Sequence, residues 1–255
     1  MPNQHPKVVI FMPAYNTAKV LPSTFQALPK ENIDEVILVD DGSRDNTVQV
    51  AEELGITVVR HQKNRGYGGA QKTGYQTALD HGADIVVMVH SDNQYDPKMT
   101  LDAIDLITSG KAEAITGTRF TPGYSAMKDG MPWWKYYPNR FLTKLENLVL
   151  GTNISDFHNG FRAYSRKILE EVPFESFSET FVFDSDILVQ IALRDFTIAE
   201  VFRTARYRQE NSQMPFTKGV EYGLSILFLL VRIKLHQWKI WPNQNFDLRN
   251  VRNKN

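Results

Sequence analysis

Residues 87–97 read VMVHSDNQYDP, and this stretch decides the predicted fold and the position of its site. Apolar, mostly β-branched residues fill positions 85–89, and the polar run His90-Ser91-Asp92 follows directly. Asp96 then has the position of a helix N-cap, with Pro97 as the first helical residue. A buried strand that delivers a carboxylate to its carboxyl end, ahead of a helix, is how open α/β sheets hold a ligand or a metal ion. We therefore predict a site at the end of this strand.

The sequence on either side alternates short apolar strands with amphipathic helices. The predicted strands cover 7–12, 35–39, 57–60, 84–89 and 114–116, and the predicted helices cover 19–28, 48–54, 70–79 and 97–108. Pro13 is expected to end the first strand. The alternation predicts an α/β fold, in which a mostly parallel, twisted, Rossmann-like sheet has helices on both faces. Right-handed crossovers then bring the carboxyl ends of the parallel strands to one edge.

Beyond residue 116 the regular alternation stops. Residues 118–137 combine Gly, Pro and aromatic side chains in a connection whose length is typical of functional or mobile segments. Helical spacing returns at 139–150 and 187–193, and two further strands are predicted at 161–164 and 197–202. Residues 218–236 read as a long, strongly apolar C-terminal helix.

The composition excludes several classes of protein. The 255 residues include no cysteine, which excludes disulfides and thiolate metal sites and favours a cytoplasmic protein. The N-terminus lacks the apolar core of a signal peptide, and the longest apolar run, 226–231, is far shorter than the roughly 20 residues that cross a bilayer. The formal net charge is zero, but residues 201–255 hold ten basic and three acidic side chains, a net charge of +7. This imbalance predicts an anionic partner at that end or, alternatively, a solvated basic surface.

Polar residues follow the first two predicted strands. The run Pro13-Ala14-Tyr15-Asn16 comes after the first strand, and Asp40 and Asp41 follow the second. Two neighbouring carboxylates at the end of a buried strand are costly unless they receive hydrogen bonds. The hydroxyls of a ribose, or the ring N–H of a uracil or guanine, would supply those donors. We predict a nucleotide site here; the alternative is that Asp41 and Asp45 cap the next helix.

The segment 64–73, NRGYGGAQKT, resembles a phosphate cradle at a helix N-terminus. It departs from a P-loop and from a dinucleotide fingerprint at Gln71, where both motifs require a glycine. We expect Gly68 and Gly69 to let the helix begin close to a nucleotide. Arg65 and Lys72 would supply positive charge there, unless both are simply solvated surface residues.

The run His90-Ser91-Asp92 is the candidate metal site. A hard divalent ion such as Mg²⁺ or Mn²⁺ prefers carboxylate and phosphate oxygens, so Asp92 would provide one ligand and a diphosphate two more. His90 as a further ligand would favour Mn²⁺ because imidazole is a softer donor. The alternative is that His90 forms a hydrogen bond with the nucleotide or with a loop carbonyl.

Together these motifs resemble the family-two glycosyltransferases. The likeness covers segments 13–16, 39–47, 64–74 and 92–97, and continues through 117–119, 139–141 and 155–162. It implies the GT-A fold, a nucleoside-diphosphate-sugar donor and inversion at the sugar. The later segments are most similar to the branch of dolichyl-phosphate mannose synthases and other polyprenyl-phosphate glycosyltransferases, which implies a polyprenyl phosphate or cell-envelope glycan acceptor. Two motifs differ: the family's Asp-x-Asp is His-x-Asp at 90–92, and its DxTSGFR is DFHNGFR at 156–162.

The resemblance also implies roles in an in-line displacement at the anomeric carbon, where the leaving diphosphate must be stabilised. We expect Asp92 with its metal ion and Arg119 to do this, assisted by Arg140 or Arg162. A hydroxyl acceptor requires a general base, for which Asp156 is the first candidate and Asp184 the second, unless Asp184 is a helix N-cap. A lipid phosphate is already ionised and requires none. The predicted nucleotide-sugar site comprises Pro13, Ala14, Tyr15, Asn16, Asp40, Asp41, Lys72, Ser91, Asp92 and Arg119.

The basic C-terminal segment is assigned to the acceptor. Arg206 and Arg208, with Arg140 and Arg162, form the predicted acceptor side. The apolar helix that follows is expected either to lie on a membrane surface at the inner face of the cell membrane or to pack on the sheet or on a second copy. We therefore predict a GT-A domain at 1–202, a basic loop and apolar helix at 203–240, and a loose tail at 241–255.

Two other function classes stay open. A non-catalytic nucleotide-sugar-binding protein is compatible with His90 in place of an acid. A nucleotidyltransferase would usually show a Gly-rich, basic signature directly after the first strand, where this chain has the segment 13–16. We expect no nucleic-acid partner.

Overall fold

Seven strands form a single sheet in the computed structural model, which describes residues 5–92, 96, 98–121, 123–202, 215–243 and 246. The strands are β1 (Val8–Ala14), β2 (Glu35–Asp40), β3 (Thr57–Arg60), β4 (Ile85–Met88), β5 (Ala114–Thr118), β6 (Arg162–Ser165) and β7 (Ile198–Phe202). Their order is β3-β2-β1-β4-β6-β5-β7. Among the strands of the described residues, only β6 runs antiparallel to its neighbours, β4 and β5, so the predicted mostly parallel sheet is confirmed.

Helices cover both faces of this sheet. Those of the described residues are α1 (Leu21–Ala27), α2 (Thr47–Glu53), α3 (Gly66–Asp80), α4 (Met99–Thr108), α5 (Trp133–Leu150), α6 (Arg166–Glu171), α7 (Phe183–Leu193) and α8 (Phe216–Gln237). Along β1, Val9 and Phe11 belong to one buried cluster, and Val8, Ile10 and Met12 belong to another. Because side chains alternate between the faces of a strand, these two clusters form separate core layers on opposite sides of the sheet.

Strand β1 continues through Pro13, contrary to the prediction that this residue ends it. Pro13 pairs with Val39 of β2, whereas the pairing with β4 stops at Phe11 and Met88. Phe11 accepts the N–H of Val89, so the main-chain groups of residues 11 and 13 face the β4 side. A main-chain N–H at position 13 would face the β4 side, beyond the last pair of the β1–β4 ladder. Proline, which has no N–H, therefore breaks no hydrogen bond of the sheet there.

Two helices begin at other residues than predicted. Helix α4 starts at Met99, and the Asp96 side chain accepts the N–H of Lys98, the residue before it, over 3.0 Å. Helix α3 starts at Gly66, four residues before the predicted Ala70, so the Gly-rich segment forms its first turn.

Helix α8 packs against α5 and α7 through a third buried cluster, which includes Leu142, Val189, Ile226, Leu230 and Ile233. No helix within the described residues has the length and apolar character needed to cross a membrane. The predicted boundary at 202/203 and the predicted tail at 241–255 stay predictions, since residues 203–214 and most of the tail lie outside the described ranges.

Candidate active site

The reversed direction of β6 brings a fourth segment to the edge where the parallel strands end. The carboxyl ends of β1, β2 and β4 lie at this edge, and the loop before β6 arrives there as well because β6 is antiparallel to β4. A Cβ added to Gly160 in that loop would lie only 2.4 Å from the Nε2 atom of His90. The two motifs at 90–92 and 156–162 are therefore in direct contact.

On the β1 and β2 side, the predicted nucleotide residues form a connected turn. Asn16 has a positive φ of 55°, and its N–H donates to Ser43 Oγ over 2.8 Å while its Oδ1 accepts the N–H of Arg44. The Asp40 side chain is fully buried and accepts the N–H of Ser43. Ala14 is buried, Pro13 is partly exposed, and the Tyr15 side chain is exposed at the rim.

Asp41 is held by groups from the next part of the chain. Its Oδ1 atom accepts the N–H of Arg65 over 2.8 Å, its Oδ2 atom accepts the N–H of Gly66 over 2.9 Å, and Nδ1 of His61 lies 2.7 Å from Oδ1. Asp41 thus caps α3 and not the helix that follows it in sequence. His61 is a site residue that the sequence does not predict, because nothing local to it indicates a partner twenty residues earlier.

The structure contradicts the predicted phosphate cradle, because main-chain N–H groups at the start of α3 already donate to other parts of the protein. The N–H groups of Arg65 and Gly66 bind Asp41, and the N–H of Gly68 donates to the Glu179 carbonyl over 2.9 Å. The Lys72 ammonium is buried and donates to the Phe177 carbonyl over 2.5 Å, which leaves little of it accessible to a ligand. The Gly68 N–H and the Lys72 ammonium thus dock the 177–179 segment onto α3, while the first two N–H groups hold Asp41.

His90 and Asp184, two predicted site residues from distant parts of the chain, are joined by Tyr67. The Tyr67 hydroxyl donates to Asp184 Oδ2 over 2.9 Å and lies 3.3 Å from His90 Nε2. Gln71 donates to the other oxygen of Asp184 over 2.8 Å. Tyr67 and Gln71 are not among the predicted site residues. Their spacing of four residues places both on one side of a helix, but this follows only if α3 begins at Gly66.

Arg119 and Asp156 form a buried, bidentate ion pair. The Arg119 Nε atom lies 2.7 Å from Oδ2 and its Nη2 atom 2.9 Å from Oδ1. Burial opposes the charge on Asp156, but the Arg119 guanidinium, together with His158 and Asn139, lowers the pKa of this carboxyl below its ordinary value. Because a general base works best with a pKa near the operating pH, Asp156 is better suited to hold Arg119 than to accept a proton.

The other predicted acceptor residues separate in the structure. Arg162 is fully buried and donates to the Phe157 carbonyl over 2.8 Å and to Thr116, so its assignment to the acceptor side is wrong: no part of its side chain reaches solvent. Arg140 is exposed, donates to the Ser155 carbonyl over 3.0 Å and lies above the Phe120 ring. Arg206 and Arg208 lie outside the described residues.

A buried polar chain connects this region to α5 and α8. Nδ1 of His158 lies 2.7 Å from the Tyr222 hydroxyl, and its Nε2 lies 3.1 Å from a carboxylate oxygen of Glu146. His158 follows Asp156 by two residues, and its carbonyl accepts a hydrogen bond from Arg119. The position of the Arg119–Asp156 pair is therefore coupled to two helices that pack outside the sheet.

The residues after β4 could bind a cation only if a bound diphosphate and water supplied most of the oxygen ligands. Ser91 donates to the Pro13 carbonyl over 2.8 Å, which ties the end of β4 to β1, and Asp92 follows it at the edge. Within the described ranges, no three His, Cys, Asp or Glu side chains are grouped to hold a metal ion. Asp92 provides a carboxylate, and the remaining ligands would have to come from phosphate oxygens and water.

The sheet order and the polar edge define an α/β protein with a ligand site at the carboxyl ends of its strands. The model of the family described as Glycosyl transferase family 2 matches residues 9–173, and this chain belongs to that family. It is 27% identical over 245 residues to the UDP-N-acetylglucosamine–dolichyl-phosphate N-acetylglucosaminyltransferase of Methanococcus voltae, covering 89% of this chain and 96% of the relative. It is 25% identical over 226 residues to the undecaprenyl-phosphate mannosyltransferase of Micrococcus luteus, covering 83% of each.

Solved structures share the fold. The crystal structure of glucosyl-3-phosphoglycerate synthase from Mycobacterium tuberculosis, in complex with Mn²⁺, uridine diphosphate and phosphoglyceric acid, superimposes with a TM-score of 0.70 at 20% identity. The match covers 89% of this chain and 78% of that one. The predicted GT-A fold and the predicted glycosyltransferase class are confirmed.

Proposed function

We propose that this glycosyltransferase moves a sugar from a nucleoside diphosphate, such as UDP, to a polyprenyl phosphate, with inversion at the anomeric carbon. The relatives named above act on dolichyl or undecaprenyl phosphate, and they align over most of both chains. The observation that carries the proposal is the contact of His90 with Gly160, because it joins the strand end that leads to Asp92 to the loop that contains Asp156.

The residues divide between donor and acceptor. The rim at 13–16 would border the nucleoside, with the buried Asp40 holding the Ser43 turn behind it, and Asp92 would face the diphosphate. A divalent cation, Mg²⁺ or Mn²⁺, bound at Asp92 would neutralise charge on the leaving diphosphate. Arg140, exposed beside Ser155, would bind the phosphate of the acceptor.

In the reaction, an oxygen of the acceptor phosphate forms a bond to the anomeric carbon while the bond from that carbon to the diphosphate breaks. The lipid phosphate is already ionised, so no proton needs to be removed. Asp156 acts by holding Arg119 in place, and Asp184 orients Tyr67 and His90. This acceptor brings the reaction to a membrane surface.

The chain Asp184–Tyr67–His90 supports a second candidate, transfer to a glycan hydroxyl. One carboxylate oxygen of Asp184 accepts a hydrogen bond from the Tyr67 hydroxyl. A hydroxyl acceptor requires a general base, and Asp184 would serve as that base by exchanging a proton through this hydroxyl.

The test is an assay with purified protein, a panel of nucleoside-diphosphate sugars and either polyprenyl phosphate or an oligosaccharide, with products identified by mass spectrometry. We expect a glycosyl phospholipid in the presence of Mn²⁺ or Mg²⁺, and a loss of about 10²–10³ in rate for Asp92→Asn. Asp105→Asn, an exposed change on α4, is the matched control. Calorimetry of UDP binding with and without Mn²⁺ reads the Asp92 site independently of turnover.

Donor binding without transfer to either acceptor would instead identify a non-catalytic binding protein. Transfer to the oligosaccharide alone, abolished in Asp184→Asn, would establish the second candidate in place of the first.

A further inference from the structure

Helix α8 exposes apolar side chains where a surface helix normally exposes polar ones. Phe216, Val220, Leu224, Phe228 and Val231 recur every three or four residues, and each is between 48% and 63% exposed. The opposite side of the helix is buried in the third core cluster, and residues 222–231 contain no charged side chain. A helix at a water-exposed surface has one apolar stripe facing the core, whereas this helix has two.

Helix α5 lies alongside and has a second exposed apolar stripe. Trp133, Tyr137, Phe141 and Leu148 are between 59% and 77% exposed. The two helices run side by side in the same direction, since the Trp134 ring lies 5.4 Å from the Phe216 ring at their beginnings and Leu142 lies under Gly223 further along. We call the outer side of α5 and α8, together with residues 238–241, the apolar face.

Tryptophan is concentrated on this face. Trp133, Trp238 and Trp241 are three of the four tryptophans of the chain, and each is more than half exposed. Trp238 and Trp241 directly follow α8, next to the exposed Ile240. An indole ring with one apolar body and one N–H donor is typical of the zone between water and lipid acyl chains.

The charges on the apolar face are basic. Arg140 and Lys144 lie on the exposed side of α5 between its apolar residues, and Lys218 and Lys239 are exposed near the ends of α8. The one exposed acid on these two helices is Glu221, which pairs with Lys218 over 2.7 Å. A symmetric dimer through this face would bring two sets of cations together, whereas an anionic lipid surface complements them.

We propose that the apolar face docks on an anionic lipid bilayer, with the exposed side chains of α5 and α8 in the headgroup region and the basic residues at the lipid phosphates. The docking itself does not depend on the reaction. Its link to the reaction rests on the proposed function: Asn139, on the inner side of α5, contacts Asp156, and Tyr222 of α8 contacts His158. Docked in this way, the protein would present its acceptor side to phosphates carried by the membrane.

The experiment is co-sedimentation of the full chain with vesicles of phosphatidylcholine, with or without phosphatidylglycerol, and with no acceptor lipid. We expect binding to the anionic vesicles and weaker binding to the neutral ones. Leu224→Glu with Phe228→Glu should lower the partition coefficient at least about tenfold, because both charges enter the apolar stripe. The matched control, Gln26→Glu with Ala27→Glu, adds two carboxylates at exposed positions of α1 and should bind as the native protein does.

Circular dichroism melting checks that both double variants fold, and the exposure of residues 224 and 228 makes loss of the fold an unexpected result. Lys144→Glu provides a second test and should weaken binding to anionic vesicles only. Recovery of the native protein in the supernatant with both vesicle types overturns the proposal. So does a dimer in sedimentation velocity that Leu224→Glu with Phe228→Glu dissociates, since this face would then bind a second copy. Because no sugar donor is present, failure here leaves the proposed transfer reaction to its own assay.

Discussion

Two buried carboxylates, one on each side of the site, are held by different partners. At the end of β2, Asp41 receives the backbone N–H groups of Arg65 and Gly66 and the ring of His61. Before β6, Asp156 is paired with the guanidinium of Arg119. The first arrangement uses the N-terminus of α3, so it exists only when that helix is formed, whereas the second places two opposite charges in the interior. Removing the charge of Asp156 takes a carboxylate away from a buried guanidinium, whereas removing that of Asp41 takes one away from two backbone N–H groups and an imidazole.

The largest effect is therefore expected for Asp156→Asn. The free energy of unfolding should fall by about 3–5 kcal/mol, because the buried Arg119 guanidinium loses the carboxylate that pairs with it in bidentate geometry. Urea unfolding followed by circular dichroism measures this, with the exposed Asp105→Asn as the control. A loss below about 1 kcal/mol would show that Arg119 does not depend on Asp156.

Asp41→Asn should have a smaller effect, a loss of about 2 kcal/mol. The amide can still accept one hydrogen bond from the backbone of α3, but it no longer offers a negative charge to a helix N-terminus. Hydrogen exchange should show faster exchange of the Arg65 and Gly66 amides, with little change in the amides of α7. A loss as large as that of Asp156→Asn would remove the distinction between the two sides.

Asp186 extends the comparison of Asp41 and Asp156, because it is a largely buried carboxylate that accepts a hydrogen bond from the Ser178 N–H. Burial raises its pKa to about 6, although the Ser178 N–H partly offsets this. A raised pKa means that the folded state favours the protonated form of Asp186. The ionised form therefore lowers the stability of the fold as the pH rises above the pKa of the unfolded chain, and this loss is complete above about pH 6.

Asp186→Asn should consequently stabilise the fold by about 1–2 kcal/mol at about pH 8, with no gain at about pH 4. Urea midpoints at the two pH values measure this. A stabilisation that is the same at both would show that the side chain, and not its ionisation, is responsible.

The smallest change is expected for Tyr67→Phe. Loss of the hydroxyl removes one hydrogen bond to Asp184 and should lower the free energy of unfolding by about 1 kcal/mol. If Tyr67 positions His90 and Asp184 at the site, activity should fall by more than this stability loss explains, and Tyr124→Phe, elsewhere in the chain, should leave the rate unchanged. Equal rates for the native protein and Tyr67→Phe would contradict a role for this chain of hydrogen bonds.

The parallel half of the fold could be predicted closely, because its signals are local. Strands such as β2 and β3 are short runs rich in β-branched residues with polar ends, and their bounds differ from the prediction by at most one residue. The start of α3 could not be predicted, because Asp41 caps it from 25 residues upstream of Gly66. Local sequence carries no record of such a partner.

The site shows the same division. The strand ends that carry Asp40, Asp41 and Asp92 follow from the pattern of apolar residues, but the partners of these side chains do not. The antiparallel direction of β6 brings Asp156 and His158 to the edge, and no spacing in the sequence specifies that direction. The burial of Arg162 was not predictable either. Side chains alternate between the two faces of a strand, and the pairing of Arg162 with Thr116 of β5 places its guanidinium in the interior.

Gly160 has a consequence for how the His90 motif can vary. Its Cβ would lie 2.4 Å from the imidazole, so the bulk allowed at residue 160 and the position of the ring are a single structural variable. Any side chain at 160 must rotate or displace the imidazole before it can fit. The absent side chain at 160 thus leaves the space that the histidine ring at 90 occupies, and a larger residue there would change the orientation of that ring.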